Sequence, residues 1–207
     1  MSPYVSPLRE AQAAQTRQRI LDAAVQVFGD SGYSGTSLSL IAATAGVSLE
    51  TVKSHGPKAA LLLASFDHAF SGAEGDGPLH ARELGAQAAM LAPSELVPFL
   101  VDFVSAANAR VARLWPRLVD AASGDPEVGL RLDALQASRR DDMRAAIAML
   151  RERGVCRSER GDDELAAALS FLISPESHTQ LVEEAAWTPR AYRAWILHAI
   201  ERLILER

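Results

Sequence analysis

Within seven residues, Ser48-Leu49-Glu50-Thr51-Val52-Lys53-Ser54, the chain gathers three hydroxyls and an amine around one apolar valine. None of these groups falls in a recognisable nucleophile motif, so bond-making is not the chemistry they suit. They suit recognition: hydroxyls that exchange hydrogen bonds with base edges, and an ammonium that meets phosphate. For that use the segment must be a short helix held by a neighbour. Val52 then points inward, and Leu49, Glu50, Thr51, Lys53 and Ser54 point outward.

The flanking residues supply such a frame. Residues 32–53, GYSGTSLSLIAATAGVSLETVK, read as two short helices about a tight turn. Thr36 or Ser37 can cap the first through a hydroxyl, and Leu40, Ile41 and Ala45 share one of its faces. Gly46 can end it in a left-handed conformation, and Ser48 can cap the second helix. Val47 and Val52 are expected to hold that second helix against its neighbours. Upstream, Ile20, Ala24, Val27 and Phe28 form one stripe of a helix that Gly29 and Gly32 are expected to end. Downstream, His55-Gly56-Pro57-Lys58 breaks the chain before a helix carrying Leu61, Leu62 and Phe66.

In this order, ILDAAVQVFGDSGYSGTS, IAATAGVS, ETV and KAALL resemble the tetracycline-repressor (TetR) family of transcription regulators over roughly residues 16–63. The resemblance implies an all-α protein with a three-helix helix-turn-helix head, a linking fourth helix and a larger helical body. It implies double-stranded DNA as a partner. By position it carries DNA contact onto Thr36, Ser37, Ser48, Leu49, Thr51, Lys53, Ser54, His55 and Lys58. One stretch departs from the family. TVKSHGPK is a residue short and has none of the aromatics usual at the end of the recognition helix and before the lysine. A second class of function therefore stays open, a helical ligand-binding or interaction module that keeps the head fold without DNA binding.

Charge bears on that choice. The net charge is −5, whereas nucleic-acid binders are often basic. Arg9, Arg17, Arg19, Lys53 and Lys58 balance Glu10, Asp22, Asp30, Glu50 and Asp67, so the head is neutral and the acid excess lies in the body. Lys53 and Lys58 are the only lysines of the 207 residues, and both fall at the end of the recognition helix and the start of the next. A compact charge on a flexible stem there suits phosphate. Apolar residues make up 48% of the chain, dominated by Ala and Leu, which supports a sizeable helical core. No apolar run is long enough to span a bilayer and MSPYVSPLRE has no signal-peptide core, so the expected location is cytoplasmic. The lone Cys156 excludes a disulfide within one chain.

The expected organisation is a flexible arm over residues 1–15, the head with its linking helix over 16–70, and an effector-binding and dimerisation body over 71–207. SGAEGDGPLH, rich in glycine and acid, marks the boundary. In the body a short helix is expected from about Arg82 to Leu91, stopped at Pro93, with Ser94 capping the next. Pro116 is expected to kink or divide a helix. Asp125-Pro126 should start a long helix ending near Gly154, with Arg139, Arg140, Asp141 and Asp142 as a solvated face. Asp162 or Asp163, and then Thr188-Pro189, can open the last two helices.

Those last helices carry an apolar stripe, Leu165, Leu169, Leu172, Tyr192, Trp195, Ile196, Ile200 and Leu203, that must bury against something. The family pairs two such helices from each subunit into a four-helix bundle, so the resemblance implies a homodimer and makes these residues its interface. The alternative is that they close the chain's own core. SPESHTQLVEEAAWTP with Tyr192 and Trp195 also resembles a carboxy-terminal domain of one branch of these regulators.

The body offers no catalytic constellation, and no cofactor or metal is expected. His55, His68, His80, His178 and His198 lack paired metal-ligand spacing, and His178 reads as a surface residue near Glu183 and Glu184. An apolar effector pocket is expected among Phe99, Phe103, Trp115, Met143, Met149 and Phe171, with Asn108 and Arg110 as polar anchors. The function expected is that of a repressor released from a palindromic operator by a small-molecule effector of unknown class. The effector is expected to act by shifting the fourth helix, residues 58–70.

Overall fold

A computed structural model describes residues 7–72 and 78–205. The described elements are helices with no strand among them: α1 (Pro7–Gly35), α2 (Leu38–Ala45), α3 (Leu49–Ser54), α4 (Lys58–Ser71), α5 (Glu83–Met90), α6 (Pro93–Val111), α7 (Trp115–Gly124), α8 (Pro126–Glu152), α9 (Asp162–Leu172), α10 (Pro175–His178) and α11 (Pro189–Ile200). A 3-10 turn over Leu79–Ala81 precedes α5, and wide π-type turns follow α10 and α11. None of these helices is long and apolar enough to cross a membrane.

The described residues form two compact units. One takes in those up to Gly72 together with Arg113–Leu132, the other those from Pro78 to Ala112 and from Asp133 onward. Residues 113–132, expected in the body, thus group with the head. Trp115 is buried, and its ring centroid lies 5.4 Å from that of Phe66 of α4. The centre of this first unit is Ile20, Val27 and Phe28 of α1, Ile41 of α2, Val52 of α3, Leu61 and Leu62 of α4 and Leu118 of α7. Each such aliphatic side chain contributes roughly 1.5–3 kcal/mol by leaving water.

Two boundaries differ from expectation. Residues 7–15 are helical rather than an arm, because no breaker separates Pro7 from the rest of α1. The remaining arm, residues 1–6, and residues 73–77 of the glycine-rich break lie outside the described residues. The helix expected to end at Gly32 does break there, at a non-helical φ of 68° that favours glycine, and a short further turn within α1 runs on to Gly35. Pro116 neither kinks nor divides a helix: it sits in the first turn of α7, where a missing N–H costs nothing.

The second unit has its own core. Leu96, Val101 and Val104 of α6, Ile147 and Leu150 of α8, Leu165, Leu169 and Leu172 of α9, and Tyr192, Ile196 and Ile200 of α11 are all buried in it. Local caps start these helices. Pro93 opens α6 one residue before Ser94, and the Glu95 carboxylate accepts the Ala92 N–H at 3.0 Å, so Ser94 is not the cap. Gly161, not Asp162 or Asp163, occupies the cap position of α9. Thr188 caps α11, its Oγ1 accepting the Ala191 N–H at 3.2 Å.

Candidate nucleic-acid interface and body cavity

The turn between α2 and α3 is built from short-range hydrogen bonds. Ser37 Oγ accepts the Leu40 N–H at 3.1 Å and so opens α2. Gly46 ends it in the left-handed region at φ 64°, and its N–H reaches back to the Ala42 and Ala43 carbonyls. Ser48 Oγ accepts the Thr51 N–H at 3.0 Å to open α3 and lies 2.7 Å from the Thr51 hydroxyl. Val52 is fully buried and fixes which side of α3 faces inward.

Two guanidinium groups from α1 close the motif. Arg19 Nη2 donates to the Ala45 carbonyl at 2.6 Å and to Gly46 at 3.2 Å, at the end of α2. Arg17 Nη1 donates to the His55 carbonyl at 2.9 Å, at the end of α3. Each cation meets the negative end of a helix dipole, and together they hold both short helices against α1. Nothing in the sequence singles out these two residues. Arginine near a helix end is a readable signal only within one helix, and here donor and acceptor are 26 and 38 positions apart.

The nine residues assigned to DNA divide. Ser48, Leu49, Lys53 and Ser54 are exposed on α3, Thr51 is half-buried beside them, and Ser37 is exposed at the start of α2. Lys53 stands 3.8 Å from the Glu50 carboxylate on the same face. His55 is half-buried and ends α3. Thr36 and Lys58 are corrections. Thr36 is 3% exposed and its hydroxyl donates to the Gly32 carbonyl at 2.7 Å, a bond that holds the kink of α1 rather than a ligand. Lys58 Nζ donates to the Tyr33 and Thr36 carbonyls at 2.8 and 3.1 Å, and it lies 4.2 Å over the Tyr33 ring. Its charge is already committed inside the head.

In the second unit, an apolar cavity opens among the 3-10 turn, α5, α6, α8, α9 and α11. Phe103, Met143 and Met149 are among its lining residues. The other expected residues are not. Trp115 is buried in the first unit against Phe66, Phe171 is 70% exposed, and Phe99 packs on the core outside the cavity. Asn108 is fully buried and donates to the Ile173 and Ser174 carbonyls at 3.1 and 3.2 Å, so it braces α6 against the end of α9. Arg110 is exposed.

The two polar side chains that line the cavity are Asp142 and His80. Asp142, expected on a solvated face, is buried, and its Oδ1 accepts the His80 backbone N–H at 2.7 Å and the His80 Nδ1–H at 2.9 Å. Arg139, from the same expected face, is half-buried and donates to the Ser170 carbonyl at 2.6 Å. His178 is buried as well, edge-on to Tyr192 at 5.1 Å, and burial pushes its pKa down against the opposing pull of Glu183.

The expected dimer stripe is mostly covered by the chain itself. Leu165, Leu169, Leu172, Tyr192, Ile196 and Ile200 belong to the core of the second unit. Trp195 is half-buried against Trp187, and only Leu203 of the eight is exposed.

This three-helix head and helical body are the architecture of TetR-type regulators. Residues 20–64 match the model of the bacterial regulatory proteins of the tetR family. Among curated proteins none matches it. Solved structures share its fold. A transcriptional regulator from Saccharomonospora viridis in complex with choline is 23% identical, with a TM-score of 0.69 over 93% of this chain and 99% of that one. The SmeT–triclosan complex is 20% identical, with a TM-score of 0.69 over 93% and 92%. NalD of Pseudomonas aeruginosa, the secondary repressor of the MexAB-OprM multidrug efflux pump, is 20% identical, with a TM-score of 0.65 over 94% and 98%.

Proposed function

We propose that the chain is a homodimeric repressor that reads a palindromic operator through α3 and is released by a small molecule held in the body cavity. The observation that carries the reading is α3 itself. Capped by Ser48 and anchored by Val52, it leaves Leu49, Lys53 and Ser54 exposed on a surface whose helix ends are tied down by Arg17 and Arg19. A short helix so held is what insertion into a major groove requires. The cavity supports the second half of the reading, since its wall is apolar and carries a single polar pair, as small-molecule sites do. The choline and triclosan held by two structures of this fold are small molecules of that kind.

A second reading, a module without DNA binding, is favoured by one observation. The committed charge of Lys58 leaves Lys53 as the single lysine on offer to phosphate. Gel shift with the DNA flanking the protein's own gene separates the two. A shifted palindrome, released on adding a ligand that binds the cavity, is the expected result. Failure to shift any such DNA at low salt, where phosphate contacts are strongest, would leave the second reading standing. Linkage adds a check: the factor by which ligand weakens DNA binding must equal the factor by which DNA weakens ligand binding.

A further inference from the structure

We propose that the effector is an apolar molecule headed by a cationic nitrogen, and that Asp142 selects that head group. The proposal takes the effector cavity of the preceding section as its starting point and adds the chemistry of what enters it.

The lining argues by contrast. Leu84, Val101, Phe103, Met143 and their neighbours make the wall apolar, and no lysine or arginine is among the lining residues. The two polar side chains there are Asp142 and His80, which form one pair. The Asp142 side chain is 10% exposed and that of His80 38%, so the carboxylate is the deeper of the two. Gly85 permits this arrangement: it is buried so close to the His80 carbonyl oxygen that a Cβ at that position would clash with backbone, so only glycine lets α5 lie this near the turn carrying His80.

A carboxylate in an apolar chamber is costly unless an opposite charge or enough donors answer it. Here two donors, the His80 N–H and Nδ1–H, converge on Oδ1. An incoming ammonium sets an opposite charge beside the carboxylate within a low-dielectric wall, where the attraction is strong. An incoming carboxylate instead sets two like charges side by side, with no arginine or lysine in the lining to offset them. A neutral head group does neither. The cavity therefore ranks ligands of one apolar body in the order cation, neutral, anion.

The test uses the full chain and three probes of equal length: decylammonium, decanol and decanoate, each below its micellar concentration, with binding read by calorimetry at neutral pH. Decylammonium is expected to bind at least about tenfold tighter than decanoate, with decanol between them. Asp142→Asn keeps an acceptor for the His80 N–H and removes the charge. It is expected to bring the cation and anion within about threefold of each other while decanol binding is unchanged. Decanoate binding as tightly as decylammonium to the unsubstituted chain would overturn the proposal, whatever the variant does. So would a well-folded Asp142→Asn chain that kept the full preference.

Operator release is measured on the same samples to keep the two readings apart. The charge ranking without release of DNA supports the assignment of Asp142 and sinks the effector reading. Release by decanoate alone supports the effector reading and overturns the assignment of Asp142.

Discussion

Tyr33 and Asp125 lie 92 positions apart and share one hydrogen bond, the phenol donating to Asp125 Oδ2 at 2.8 Å. The same carboxylate starts α8, because Oδ1 accepts the Glu127 and Val128 N–H groups at 3.0 and 3.4 Å. Tyr33 is engaged on its other side by Lys58, through its carbonyl and its ring. One tyrosine therefore ties the end of α1 to the starts of α4 and α8 within the first unit. Burial first, then the Asp125 carboxylate, push the phenol up to about 12, while the phenol's hydrogen bond is the leading cause that draws Asp125 down.

That shift has a signed consequence. A tyrosine in an unfolded chain titrates near pH 10. Folding raises the value, so the stabilisation is complete below about pH 10 and is lost as pH rises through about 12. Tyr33→Phe should melt at a lower temperature than the unsubstituted chain at pH 8 and lose less on going from pH 10 to 12. Circular dichroism melts across that range check it, and equal losses in the two proteins would refute the assignment.

The two lysines should separate by experiment. Lys53→Ala is expected to weaken binding to all DNA sequences alike and to lower the salt slope by about one. Lys58→Met removes a charged donor from two carbonyls and should cost about 2 kcal/mol of stability, seen in denaturant unfolding of the full chain. Its salt slope, measured on the folded fraction, should stay as it was. A reduced slope with unchanged stability would return Lys58 to the phosphates.

Assembly offers a similar contrast. Phe171 and Leu203 are large apolar residues left exposed in the second unit, whereas Ile200 lies in its core. Phe171→Glu with Leu203→Glu is expected to yield folded monomers in sedimentation, with operator binding lost. Ile200→Glu should unfold the chain instead, since a buried charge without a partner is strongly destabilising. An unsubstituted chain that sediments as a monomer at micromolar concentration would end the dimer reading.

What the sequence made legible was local. Ser37, Ser48, Asp125 and Thr188 act as caps because a cap needs only the next two or three residues. Val52 and the stripe of α1 face inward because helical spacing puts them there. Periodicity says that a face must be covered and does not name the cover. Tyr192 and Ile200 were therefore assigned to a partner although their own chain encloses them. The same limit applies to Asp142, whose partner His80 is 62 positions away and which by spacing alone is one of four charges on a wet face. For Thr36 the residue type misled, since a hydroxyl next to a helix start can cap it or turn back to the preceding helix. Here Ser37 takes the first task and Thr36 the second.

The brevity of α3 sets a limit on its vocabulary. Six residues at 1.5 Å each make an element about 9 Å long, which lies along roughly three base pairs of the groove. In the proposed dimer two copies would address about six pairs, and a six-letter word recurs by chance about once in four thousand positions, hence on the order of a thousand times among several million competing sites. A regulator built on this helix must find its address by added means. The bending preference of the pairs between the half-sites is one, and clustering of several operators is another.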